Sequence, residues 1–199
     1  MRFKFIAAAL IASSALSAPA FAQDAAPFTG PRAEAVVGWD RVEDSAANGG
    51  HRDGVVYGGQ IGYDFQAGSA VIGVEGEATG ATTRARDTSV LVAGDSLRVK
   101  AGRDLYVGAR VGFTVGDKAL IYAKGGYTNA GFNTRYTTGT TTVTSKDNAD
   151  GWRLGAGAEV KLTDKIYAKA EYRYSKYDDN SSGVDAKRHQ VLGGVGVRF

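Results

Sequence analysis

Glu75 and Glu77 are the two residues of this sequence that most resemble a catalytic acid and base. Paired carboxyls do that chemistry when their surroundings drive their pKa values apart. In an extended segment, however, residues i and i+2 share a face by geometry alone, so the spacing reports a strand before it reports a reaction. The same face logic gathers Glu34, Asp40, Asp64, Asp104, Glu159 and Glu171 with Arg110, Lys124, Arg153, Lys161, Lys169, Arg173 and Arg198, each opposite the apolar residues of its segment. Eight acids against seven bases is close to balance. Confined together and out of water, such groups pair and plug the space between them. The alternative is a narrow ion pathway gated by salt bridges.

Other chemistry is thinner. His51 and His189, with Ser181 or Ser182 near the second, would be the raw material of a lipid hydrolase, but solvated histidines at loop ends account for them more simply. The stretch from Asp147 to Gly151 lacks the alternate-residue ligand spacing of a calcium loop. Gly155-x-Gly157 and Gly194-x-Gly196 lie within strand patterns with no helix following, which excludes a dinucleotide turn. No catalytic residue, metal ligand or cofactor is therefore assigned, and the chain is expected not to be an enzyme. Arg84, Arg86, Arg98 and Lys100, with Arg103 at their base and Asp87 and Asp95 as the only nearby acids, form a stretch suited to phosphates or an acidic polymer. A solvated loop is the plain alternative.

The elements that would position these groups are strands. Period-two alternation runs through 32–41, 55–65, 71–79, 103–115, 119–129, 152–162, 166–177 and 189–199. The connections alternate long and short, and the stretches 80–102 and 130–150 read as long polar loops. Residues 1–22 carry Arg2 and Lys4, an apolar run and Ala20-Phe21-Ala22, the layout of a cleaved signal peptide. Residues 23–30 are then a lead and 31–199 the folded domain. Without Arg2 and Lys4, Lys+Arg falls from 24 to 22 against 21 Asp+Glu, a net charge near +1 that gives no reason to expect nucleic acid. There is no cysteine to staple an exported chain. Apart from the leader, no apolar run approaches the roughly 20 residues of a spanning helix, so a membrane-spanning form would have to be a closed barrel.

Alternation alone also suits a soluble barrel with its apolar face inward. Sidedness follows from three further patterns. Trp39, Tyr57, Tyr127, Trp152 and Tyr174 lie on the apolar face toward the long connections, and Tyr63, Phe65, Phe113 and Phe199 toward the short ones, as two lipid-interface girdles would. Most strand glycines fall on the charged face, where a narrow cylinder is short of space. The middle of the apolar face carries no charge, where an Arg or Lys facing lipid would cost about 2–4 kcal/mol. The expected fold is an all-β, eight-stranded antiparallel up-and-down transmembrane β-barrel.

Residues 73–77 (Gly-Val-Glu-Gly-Glu), 125–127 (Gly-Gly-Tyr), 170–174 (Ala-Glu-Tyr-Arg-Tyr) and 194–199 (Gly-Val-Gly-Val-Arg-Phe) resemble the small outer-membrane β-barrel superfamily of Gram-negative bacteria, the porin-like/opacity group that shares its eight-stranded barrel with the OmpA transmembrane domain. The resemblance implies integral residence in the outer membrane after secretory export. It implies contact with membrane lipid and lipopolysaccharide, and reading of the last strand, ending on Phe199, by the barrel assembly machinery. It also implies that function lies in four extracellular loops with a structural or surface-interaction role toward an extracellular or host ligand. A small low-conductance channel is the alternative; a lipid-modifying enzyme is the remote one.

Overall fold

The computed structural model of the chain describes residues 26–44, 51–88, 96–139, 141–178 and 185–199, of which 44, 84–88, 96–101, 132–135, 144–147, 178 and 185–186 are described by their backbone alone. The expected signal peptide, 1–22, lies outside the described residues. Nine strands follow in order: β1 (Gly30–Asp44), β2 (His51–Ala67), β3 (Ala70–Ala81), β4 (Arg84–Thr88), β5 (Ser96–Val115), β6 (Ala119–Thr138), β7 (Thr141–Lys161), β8 (Ile166–Asp178) and β9 (Asp185–Arg198). Each of β1, β2, β3 and β5–β9 pairs antiparallel with its neighbours, and the β1–β9 and β3–β5 ladders close the ring of eight. β4 stands outside that ring, paired with the far end of β5. This is the eight-stranded up-and-down barrel that the alternation predicts.

Alternation is what separates inside from outside. Val74, Ile61, Val107, Ile121, Leu154 and Val195 are exposed on the outer face, while charged residues fill the buried one. The barrel is therefore inside out relative to a water-soluble one, with an exposed apolar band of the kind that transmembrane barrels carry.

Two stretches read as loops are strands over most of their described residues. β5 reaches back to Ser96 to pair with β4 and with β6, and β6 and β7 continue as one ladder to the Thr138↔Thr141 pair. Beyond the lipid there is no apolar face to mark a period, so the polar residues of 80–102 and 130–150 hide strands made of β-branched threonine and valine. β2 and β9 likewise begin earlier than expected, at His51 and Asp185.

Inside, glycines make room for tyrosines. A Cβ on Gly157 would stand 2.6 Å from Ala170 O and 2.7 Å from Tyr122 Oη, and one on Gly108 would collide with the Tyr106 hydroxyl. At the short turns Gly68 and Gly116 take φ of 61° and 63°, the left-handed region that glycine enters without penalty. The 23–30 lead also has work inside: Phe28 is buried with Val71, Leu120 and Tyr122, capping the short-turn end.

Gly157→Ala is expected to lower unfolding free energy by about 1–3 kcal/mol, the cost of overpacking. Gly76→Ala, on the outer face with its nearest atom 3.9 Å away, is expected to leave it unchanged within about 0.5 kcal/mol. Urea titration of both variants in lipid vesicles checks the pair.

Candidate functional site: the charged lumen and the outer rim

Even residues of β1, β2, β6 and β9, even residues of β5 from Asp104 onward, and odd residues of β3, β7 and β8 face inward, so every strand of the barrel contributes charge to one enclosed column. Among the described residues eight acids and eight bases are buried there, the bases being Arg32, Arg110, Lys124, Arg153, Lys169, Arg173, Arg188 and Arg198. The column is layered. Near the short turns, Asp64 accepts from Arg110 Nε at 2.8 Å and Nη2 at 2.6 Å and lies 2.9 Å from Arg198 Nη1. Glu159 joins the same two arginines, with Arg198 Nη2 at 3.1 Å. Arg198 also donates to Phe28 O and sits over its ring, so the apolar cap and the charged column are tied together.

In the middle layer, Lys124 Nζ lies 2.6 Å from Glu75 and 3.0 Å from Glu171. Lys169 Nζ reaches Glu34 at 2.5 Å and Glu171 at 3.2 Å. Arg32 joins Glu34, Glu75 and, at 3.2 Å, Asp64, linking this layer to the one below. Tyr122 donates to Glu171 and Tyr167 to Glu34. Above them Glu77 holds Arg153 and Arg173. Toward the outer end Asp104 takes Arg153 at 2.6 Å and Arg188 at 2.7 Å, and Asp40 takes Arg188 at 2.5 Å and the Thr83 hydroxyl at 2.6 Å.

The arrangement brings fourteen of the fifteen expected lumen residues into this column, all but Lys161. Lys161 is half-buried beside the β7–β8 turn and takes no part in the ion pairs above, because its strand leaves the barrel there. Arg32 and Arg188 belong to the column and were not expected in it. Each lies two residues before an inward polar residue, Glu34 and Gln190: Arg32 already shares the face of Glu34 within the run 32–41, and extending the last run by one residue finds Arg188. Glu75 and Glu77 are each engaged by cations, which leaves neither free to act as an acid or base.

The outer face carries the expected aromatics. Trp39, Tyr57, Tyr63, Phe65, Phe113, Tyr127, Trp152 and Phe199 are exposed, and Tyr174 packs 5.4 Å from Trp152. At the outer rim Arg41 lies 4.5 Å over the Trp39 ring and donates to Asp53 at 2.9 Å, a hydrogen bond that holds the Asp53 carboxyl below its usual pKa. His189 meets the Tyr172 hydroxyl at 2.7 Å through Nδ1, on the lipid side of β9. His51 stands on the other side of β1, opposite Glu43, and Ser181 and Ser182 lie outside the described residues. Arg84, Arg86, Arg98 and Lys100 are placed by register: Arg84 opposite Lys100, and Arg86 opposite Arg98.

Residues 8–199 match the model of the outer membrane protein beta-barrel domain. The chain belongs to that family. It is 31% identical over 162 residues to a 25 kDa outer-membrane immunogenic protein of Brucella ovis, covering 81% of this chain and 72% of that protein. Its fold is similar to that of Neisserial surface protein A, with a TM-score of 0.56 at 14% identity over 86% of this chain and 98% of the other. It is also similar to Ail, the attachment invasion locus protein of Yersinia pestis, with a TM-score of 0.52 at 16% identity over 86% of this chain and 99% of the other. Membership of the outer membrane protein beta-barrel family fixes the compartment: the protein is integral to the outer membrane.

Removing one partner from a buried ion pair costs about 3–5 kcal/mol. Glu77→Ala, which takes an acceptor from both Arg153 and Arg173, is expected to destabilise the barrel by that amount, whereas Lys161→Ala stays within about 0.5 kcal/mol. Urea midpoints read from the two tryptophans separate the variants; equal shifts would mean the column does not hold the barrel.

Proposed function

We propose that this protein is a closed, non-catalytic outer-membrane barrel whose function is structural and surface-interactive, carried by the connections at its long-loop end. The observation that carries this reading is the saturation of the lumen: its acids and bases are equal in number among the described residues, each base has an acid partner, and an apolar plug around Phe28 covers one end. An ion crossing that column would have to break several ion pairs in sequence. Loops held on a rigid barrel are the usual place for function.

Termini at the short-turn end are the periplasmic arrangement of such barrels, which makes β4 and the β6–β7 hairpin extracellular. In this reading residues 1–22 are removed on export and Phe28 of the lead supplies the plug. Phe199, outward and bonded through its backbone N–H to Pro31 O, is the mark read by the assembly machinery.

Single-channel recording of the refolded barrel in planar bilayers is expected to give a silent membrane, with folding verified by a gel mobility that shifts on boiling. Arg110→Ala, which loosens Asp64 and Glu159, is expected to remain silent while lowering the urea midpoint. Regular conductance steps in the parent that change size or selectivity in Arg110→Ala would make the protein a pore and overturn the proposal.

A further inference from the structure

The β5–β6 ladder contains one irregularity. Ala101 is opposite Phe132 and Asp104 is opposite Ala130, so three steps along β5 match two along β6. Such a bulge reverses the inside–outside parity of the strand beyond it. Below the bulge even residues of β5, such as Asp104 and Arg110, are on the lumen face; above it the even residues Lys100 and Arg98 are on the outer face. The neighbouring strands agree. Ala130 and Thr128 are buried in the lumen, which puts Asn133 and Arg135 on the outer face of β6; Arg153 is buried, which puts Lys146 and Thr144 on the outer face of β7.

The register then builds two rows across four strands. One reads Arg84, Lys100, Asn133, Lys146, and the next Arg86, Arg98, Arg135, Thr144. All six cations of the described stretches beyond the bulge fall on this face; of the acids, Asp87 and Asp147 fall on the other, and Asp150, at the base of the same face, is engaged by Tyr127 and Asn129. Like charges directly opposite on adjacent strands are destabilising, and here three arginines stand in one row at strand spacings of about 4.8 Å. The bulge assembles that row: without it the cations of β4 and β5 would fall on the other face, away from Arg135 and Lys146.

We propose that this face binds the phosphates of lipopolysaccharide in the outer leaflet of the same membrane. It continues the lipid-facing surface of the barrel, and Asn133 lies six residues beyond Tyr127 of the outer girdle. At about 3.3 Å per residue and a tilt near 40°, that is roughly 15 Å above the ring, at the level of a phosphorylated saccharide headgroup. The hairpin tip, by contrast, is a threonine run from Thr137 to Thr144 without charge, which offers a soluble polyanion arriving from outside nothing to hold. Arginine suits the ligand because its planar fork matches phosphate oxygens.

The inference rests on the long connections being extracellular, and the two are separable. Because the chain has no cysteine, Thr138→Cys in intact cells reacts with a membrane-impermeant maleimide if that placement is right; failure to label would remove the basis of both readings. The direct test titrates vesicle-reconstituted full-length product with purified lipopolysaccharide, before and after chemical dephosphorylation. The variant Arg98→Gln/Arg135→Gln is expected to bind at least tenfold more weakly, the parent to lose a similar factor toward the dephosphorylated ligand, and Asp87→Asn/Asp147→Asn to bind no worse than the parent. In lipopolysaccharide-free vesicles the arginine double variant is expected to be at least as stable as the parent, so weak binding is not a folding defect. Unchanged binding by that variant, or a soluble sulfated polysaccharide that competes at equal affinity for the same residues, would overturn the proposal.

Discussion

Charge taken out of water must be neutralised where it lies, and a narrow cylinder of strands gives it no other recourse. In this barrel the requirement is met by a single continuous column, in which Asp64, Glu171, Glu77 and Asp104 each serve two or more cations. Among the described residues no helix packs against the sheet and the apolar side chains are on the outer face, so the column takes the place a hydrophobic core would occupy. It crosses strands that are far apart in the sequence: Arg188 pairs with Asp40 and Arg153 with Glu77. Backbone ladders set the cylinder, and the charges fix what lies within it.

The same constraint explains why small residues line the interior. Eight strands leave space for either a glycine or a large side chain at a given height, and Tyr106, Tyr122 and Tyr167 occupy the space that Gly108, Gly157 and Gly196 vacate. Phenols bring both bulk and a donor, as in the bonds from Tyr167 to Glu34 and from Tyr122 to Glu171. Arg110 and Arg153 lie over tyrosine rings, adding a favourable contact for a cation that has lost its water.

Much of this is legible in the sequence because lipid and lumen impose opposite preferences on successive residues. Ile61, Val74 and Val107 alternate with Gln60, Glu75 and Tyr106, and that contrast identifies the eight membrane-crossing segments and most of the buried charges. Legibility ends where lipid ends. Arg32 opens the first alternating run and Arg188 lies just before the last, where a single step of alternation is a weak signal, although both are buried. β4 and the outer halves of β5, β6 and β7 have water on offer at both faces, so their pairing leaves no apolar signature. The bulge between Ala101 and Asp104 is invisible for a related reason: parity can be read only when the two faces differ in composition, and there the contrast depends on knowing the register first.

The seam between first and last strands has a consequence for how the barrel comes into being. Lys169 on β8 needs Glu34 on β1, Arg188 on β9 needs Asp40, and Arg198 needs both Asp64 and Glu159. A sheet inserted with that edge open would carry these groups into the membrane unneutralised, while its edge strands β1 and β9, more than 140 residues apart, had yet to meet. Insertion and closure are thus bound into one event, and a half-built cylinder is the one state this sequence makes most costly to occupy.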